Sequence, residues 1–240
     1  MTDIEIINVI KHLHKECECY KDGGITFIKC LAQKLNNTID EDKNAVYDLF
    51  YREIRTNDNS YIESIALETY KELKDKSVCP VIEKIYREVG ATKNEEWKRS
   101  IIDTLMVLKY DKPKDIYYEY VCNYLRNNYN NALYVLIQYS NVDWEHALPL
   151  LSSYYAENLL QCNNIRQQMI VRIGYLIHYF MENKNSYFSD LLKRVAIKNK
   201  NAALSLRQLI ISYLNENTSS SNYTKERSKN VVEELISIEL

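Results

Sequence analysis

The chain has 240 residues, 46% of them hydrophobic and 27% charged, enough for a large core, and its net charge of −2 argues against a protein built to hold a polyanion. With only 4 Gly and 3 Pro it has too few turn formers for a sheet-rich or irregular fold, so helices joined by short polar links are expected. No apolar run is long enough for a membrane helix, and the acidic opening Met1-Thr2-Asp3-Ile4-Glu5 lacks the basic stretch of a secretion signal, so a cytoplasmic location is expected. Cys17, Cys19, Cys30, Cys79, Cys122 and Cys162 are scattered, which fits reduced thiols better than a disulfide framework.

In chain order, the apolar spacing predicts a first helix over 3–20, with Ile4, Ile7, Ile10 and Leu13 on one stripe, broken by Gly23-Gly24. Its partner covers 25–36. A third helix starts at Asp40 or Asp42 and runs through Arg55, with Val46, Leu49, Phe50 and Ile54 inward. Asn59 or Ser60 caps a fourth, which runs to about Leu73 with Ile62, Ile65, Ala66, Thr69 and Leu73 inward. Pro80 suits the first turn of a short fifth helix that ends at Gly90. Asn94 opens a sixth, where Glu95 and Glu96 favour the positive end. Pro113 opens a seventh through Leu125, and Asn130-Asn131 an eighth to about Tyr139.

The stretch from Asp143 to Phe180 is the clearest. Asp143 is expected as N-cap, with Trp144 at the first helical position. After a break near Cys162-Asn163-Asn164, Ile165, Met169, Ile173, Leu176, Ile177 and Phe180 share one face of a second helix, giving an antiparallel hairpin. Further helices follow from Asn185-Ser186 to about Lys198 and from Asn201 to about Leu214. Superposing Trp97-Lys98 on Ile165-Arg166 brings Ile101 onto Met169, Leu105 onto Ile173 and Leu108 onto Leu176. That offset of 68 is twice 34, the size of a two-helix repeat. The expectation is an all-α solenoid of about six stacked hairpins, occupying 1–217. A polar linker over 218–224 and a C-terminal capping helix over 225–240, with Val231, Val232, Leu235 and Ile236 apolar, complete the chain.

Within that clearest stretch, D-W-E-H-A-L-P-L-L followed by I-R-x-x-M-x-x-x-I-G-Y-L-I-H resembles a HEAT repeat. Trp144, Leu148 and Pro149 lie on its first helix, Arg166 stands at the Val-Arg position of the second, and Gly174 at the Leu-Gly position. The form is similar to that of bacterial HEAT-repeat proteins encoded beside toxins, which act as immunity proteins. The chain departs from the pattern at Asp103 and Thr104, where small residues are usual, and at Arg172, where Ala is usual. The resemblance implies a non-enzymatic protein that occludes a cognate toxin domain. A second resemblance, in length and helical repeats only, is to HEAT-like alkylpurine DNA glycosylases, which need a basic groove and an aromatic-plus-carboxylate cluster. Trp97 and Trp144, the latter beside Asp143, are the tryptophans available for such a cluster, and nucleic acid is not the expected partner. A scaffold or regulatory subunit of a larger complex is a third reading.

Tyr is unusually common, at 21 residues against 4 Phe. Tyr117, Tyr118, Tyr120 and Tyr124, with Tyr129 and Tyr134 following, are too dense for all to face inward, so some are candidate partner contacts and the others edge-of-core packing. Trp144, Tyr154 and Tyr155 raise the same alternatives. Lys184, Lys193, Arg194, Lys198, Lys200 and Arg207, opposed in that window by Asp190 alone, form either a patch for an acidic surface or nucleic acid, or a solvated face. Within H-x-H-x-x-C-x-C, His12 and His14, and likewise Cys17 and Cys19, point about 200° apart on a helix, so a metal site is not expected there. His146 and His178 lack an accompanying nucleophile motif, and no glycine-rich phosphate loop occurs. No catalytic, cofactor-binding or metal residue is assigned.

Overall fold

The computed structural model describes residues 1–17, 23–127, 132–161, 164–183, 186–216 and 225–240, and among these every regular element is helical. The described chain divides into two compact units, Met1–Pro113 and Lys114–Leu240, a boundary within the single repeat domain read from the sequence. Expectations that rest on Cys19, Tyr129, Asn130, Asn131, Cys162, Asn163, Lys184, Asn185 and the 218–224 linker fall outside the described residues.

The first unit holds α1 (Asp3–Cys17), α2 (Gly23–Asn36), α3 (Asp40–Thr56), α4 (Ser60–Leu73), α5 (Cys79–Val89) and α6 (Glu95–Val107). Successive pairs pack together, α1 on α2, α3 on α4 and α5 on α6. The first helices of the pairs also touch in sequence, α1 on α3 and α3 on α5, while the second helices do the same, α2 on α4 and α4 on α6. The core between the two rows carries Leu49, Phe50, Ile54, Ile62, Tyr70, Ile82, Trp97 and Ile101, all essentially inaccessible. At roughly 1.5–3 kcal/mol per buried large apolar side chain, this seam is what opposes the entropy of ordering the chain.

The buried stripe of α1 is Ile6, Ile10, Leu13 and Cys17, not the expected set from Ile4, which is 72% exposed. Both sets satisfy helical spacing at Ile10 and Leu13; only the first continues to Cys17 at the helix end. Caps follow the sequence more closely. Asn59 Oδ1 accepts from the Ile62 N–H at 3.3 Å, and Asn94 Oδ1 from the Trp97 N–H at 2.8 Å. α3 and α4 end on residues in the left-handed region, Asn57 (φ 59°) and Lys74 (φ 53°), and Lys109 (φ 53°) adopts it after α6. Non-glycine residues thus do the terminating that glycine does in most proteins.

The second unit holds α7 (Lys114–Arg126), α8 (Ala132–Val142), α9 (Trp144–Asn158), α10 (Asn164–Val171), α11 (Ile173–Asn183), α12 (Ser186–Lys198), α13 (Lys200–Glu216) and α14 (Lys225–Ser237). The hairpin read from Asp143 to Phe180 is modified in two ways. Its second helix is broken at Arg172 into α10 and α11. Its first helix, α9, packs chiefly on α8 and α12, while α11 packs on α8 and α13. Gly174 lies where α11 meets α13: a Cβ there would come within 2.6 Å of the Tyr213 hydroxyl. Asn199 ties three helices, its Oδ1 accepting from the Ala202 N–H of α13 and its Nδ2 donating to the Ala156 carbonyl of α9, each at 3.1 Å. α14 covers α13 with Val231 and Leu235 buried and Ile236 exposed, and Ile238 just beyond its end is buried too. Arg207 donates to the Ile238 carbonyl at 3.0 Å, and Arg227 to that of Met181, fastening this last helix.

Candidate partner-binding surface

α7 presents its tyrosines on two sides. Tyr117, Tyr120 and Tyr124 follow the three-and-four spacing of the inward stripe and are buried; Tyr118 lies off that stripe and is 46% exposed. The structure therefore corrects the contact reading for Tyr117, Tyr120 and Tyr124, which are core residues. Tyr117 meets Tyr139 edge-on at 6.5 Å, and the Tyr120 and Tyr124 rings lie 4.6 Å apart. Tyr155 is likewise fully buried, whereas Tyr154 is half-buried. Trp144 is half-buried, but its ring stacks on Tyr187 at 4.0 Å and meets Phe180 edge-on at 5.3 Å, so it docks the start of α9 against α11 and α12. Trp97, needed by the glycosylase alternative, is committed to the core: its Nε1–H donates to the Ile54 carbonyl at 2.8 Å and its ring stacks on Tyr86.

Asp143 occupies the N-cap position, as expected, but its carboxylate does not cap α9. It is buried and accepts instead from the Tyr139 hydroxyl at 3.1 Å, from His146 Nδ1 at 2.8 Å and from the Lys114 ammonium at 3.5 Å. Burial works to raise its pKa, yet the hydrogen bonds from His146 and Tyr139 and the Lys114 charge outweigh that and hold the carboxyl below its usual range. The same burial, with the neighbouring carboxylate, pushes the Tyr139 phenol well up. A carboxylate only accepts, so it fixes a proton on His146 Nδ1 and leaves Nε2 of this 59%-exposed ring to solvent. The Tyr118 ring lies edge-on at 6.3 Å. The buried Asp143 carboxylate thus holds the exposed His146 imidazole of α9 and the Lys114 ammonium of α7, with the exposed Tyr118 ring beside that imidazole.

α12 carries the second feature. Phe188, Leu191, Leu192 and Val195 form its buried stripe, which leaves Lys193, Arg194 and Lys198 exposed as the sequence suggested. Between them stands Ile197, 85% exposed, which the sequence reading did not single out. The signal was present: Ile197 is the one large apolar residue of that segment off the inward stripe. None of the three cations makes an ion pair among the described residues, whereas Arg52, Arg55, Lys71, Arg87 and Lys98 of the first unit all do.

Other sequence candidates resolve locally. His14 Nδ1 lies 2.6 Å from the Tyr61 hydroxyl with its ring against Phe27, and His12 pairs with Glu16. Among the described residues no three His, Cys, Asp or Glu side chains are grouped to hold a metal ion, and no helix is long and apolar enough to cross a membrane. Compared with protein-family models, curated proteins and solved structures, the chain matches none.

Proposed function

We propose that the chain is a non-enzymatic protein-binding α-solenoid of HEAT-like hairpins that acts as an immunity protein, neutralising a cognate toxin by occlusion. The row-by-row packing of α1, α3 and α5 and of α2, α4 and α6 supports the repeat reading, since each pair shares its apolar faces with the next. The observation that carries the binding role is the α12 face: an exposed isoleucine, Ile197, on the same helix as the exposed Lys193, Arg194 and Lys198, which make no ion pair among the described residues. An exposed large side chain among charged ones has the anatomy of an interface anchor and its rim. The complementary partner surface is acidic and offers an apolar pocket. Isoleucine at the centre favours protein over nucleic acid, because a phosphate backbone gives it nothing to pack against.

The test is co-expression with the toxin-like product of the adjacent gene. Growth rescue and co-purification support the reading. A toxic neighbour that is neither rescued nor retained overturns it.

A further inference from the structure

A groove runs between α3 and α5, with about 360 Å³ of space, in the range of small-molecule sites. Its floor is apolar: the Tyr51 ring, Val81 and Ile85. The floor is also held in place, since the Tyr51 ring stacks on fully buried Tyr70 at 6.0 Å and meets Tyr47 edge-on at 6.3 Å. Its rim carries Arg52, Arg55 and Lys84 against one carboxylate, Glu88. We propose that this groove binds a small aromatic carboxylate, ring on the floor and carboxylate at the Arg52–Arg55 edge.

The charge balance sets the sign of the ligand. Arg52, Arg55 and Lys84 face two acids, Asp3 on Arg52 and Glu88 shared by Arg55 and Lys84, so one positive charge remains and an anion is favoured over a cation on entering. The two guanidiniums stand three residues apart on α3, neighbours on one helical face. Each now holds an exposed acid, Arg52 with Asp3 at 2.7 Å and Arg55 with Glu88 at 2.7 Å. Solvent-exposed pairs of this kind add little to stability, so exchanging one for a ligand carboxylate costs little. Arginine supplies the planar, two-donor geometry a carboxylate accepts. The apolar floor then selects a flat ring over a simple inorganic anion.

The probe is 2-naphthoate, titrated into the full chain and followed by amide shifts in a 1H–15N spectrum. Its cationic counterpart, 2-naphthylmethylamine, is titrated in parallel. Saturable one-to-one binding of the naphthoate, with shifts centred on residues 51–55 and 81–88 and no matching effect of the amine, is the expected result. Arg52→Gln and Arg55→Gln each weaken it about five- to tenfold. Lys193→Glu, on the other unit, leaves it unchanged. Equal binding of acid and amine, shifts centred elsewhere, indifference to both arginine substitutions, or no saturation at millimolar naphthoate overturns the proposal. Because both arginines are exposed, the variants keep the wild-type circular dichroism, which separates a lost site from a lost fold.

Discussion

Glu63 is a carboxylate on the buried side of α4, close to Lys93 and Glu96. Burial raises its pKa from 4.5 to about 7; the Lys93 charge pulls the other way and that of Glu96 adds to the rise. A pKa raised on folding means the native state prefers the protonated form. The stability this group supplies is complete below about pH 4.5 and is lost as pH rises through 7. Glu63→Gln, neutral at every pH, is therefore expected to stabilise the protein by about 2 kcal/mol at pH 8 and to make little difference at pH 4, read as urea midpoints at the two pH values. Tyr155 offers a second residue-level test. Its hydroxyl is buried without a hydrogen-bond partner among the described residues. Removing an unsatisfied polar atom while keeping the ring should leave stability equal or raise it by about 1 kcal/mol, so Tyr155→Phe is expected to match or exceed wild type in thermal unfolding.

Among the elements, the positions most legible in the sequence were those where one residue type has one job. Asn59 and Asn94 were readable as caps because a short amide before an apolar run satisfies otherwise orphaned N–H groups. Asn94→Ala is expected to cost about 1 kcal/mol and lower the melting temperature by several degrees. Asp143 had the same local signature yet serves Tyr139, His146 and Lys114, because those partners come from 4 residues before, 3 after and 29 before, and only the last is invisible to a local reading. The α1 register failed for a related reason: Ile4, Ile6, Ile7 and Ile10 fit more than one stripe, and the packing of α1 on α2 and α3 chose between them. The break at Arg172 was not legible either, since Ile165 through Phe180 keeps helical spacing across it.

At the scale of the whole molecule, helical content followed from the shortage of glycine and proline, and the pairing of neighbours from the short polar links. The tyrosine count gave no direct route to a surface, because Tyr117, Tyr120, Tyr124 and Tyr155 replace phenylalanine inside the units and leave Tyr118 outside. In the basic stretch, Lys193, Arg194 and Lys198 are exposed, and Ile197 is exposed with them. Ile197→Asp removes the proposed apolar anchor and places a like charge against the proposed acidic partner, while the side chain it replaces is 85% exposed. It should leave the unfolding midpoint within about 0.5 kcal/mol of wild type and weaken partner binding at least tenfold, the range of an interface hot spot. The measurement that tests the central claim most directly is calorimetric titration of the proposed partner, the toxin-like product of the adjacent gene, into wild-type and Ile197→Asp protein at two salt concentrations. The account predicts tight binding that weakens with salt for wild type and at least a tenfold loss for the variant; equal affinities, insensitive to salt, would contradict it.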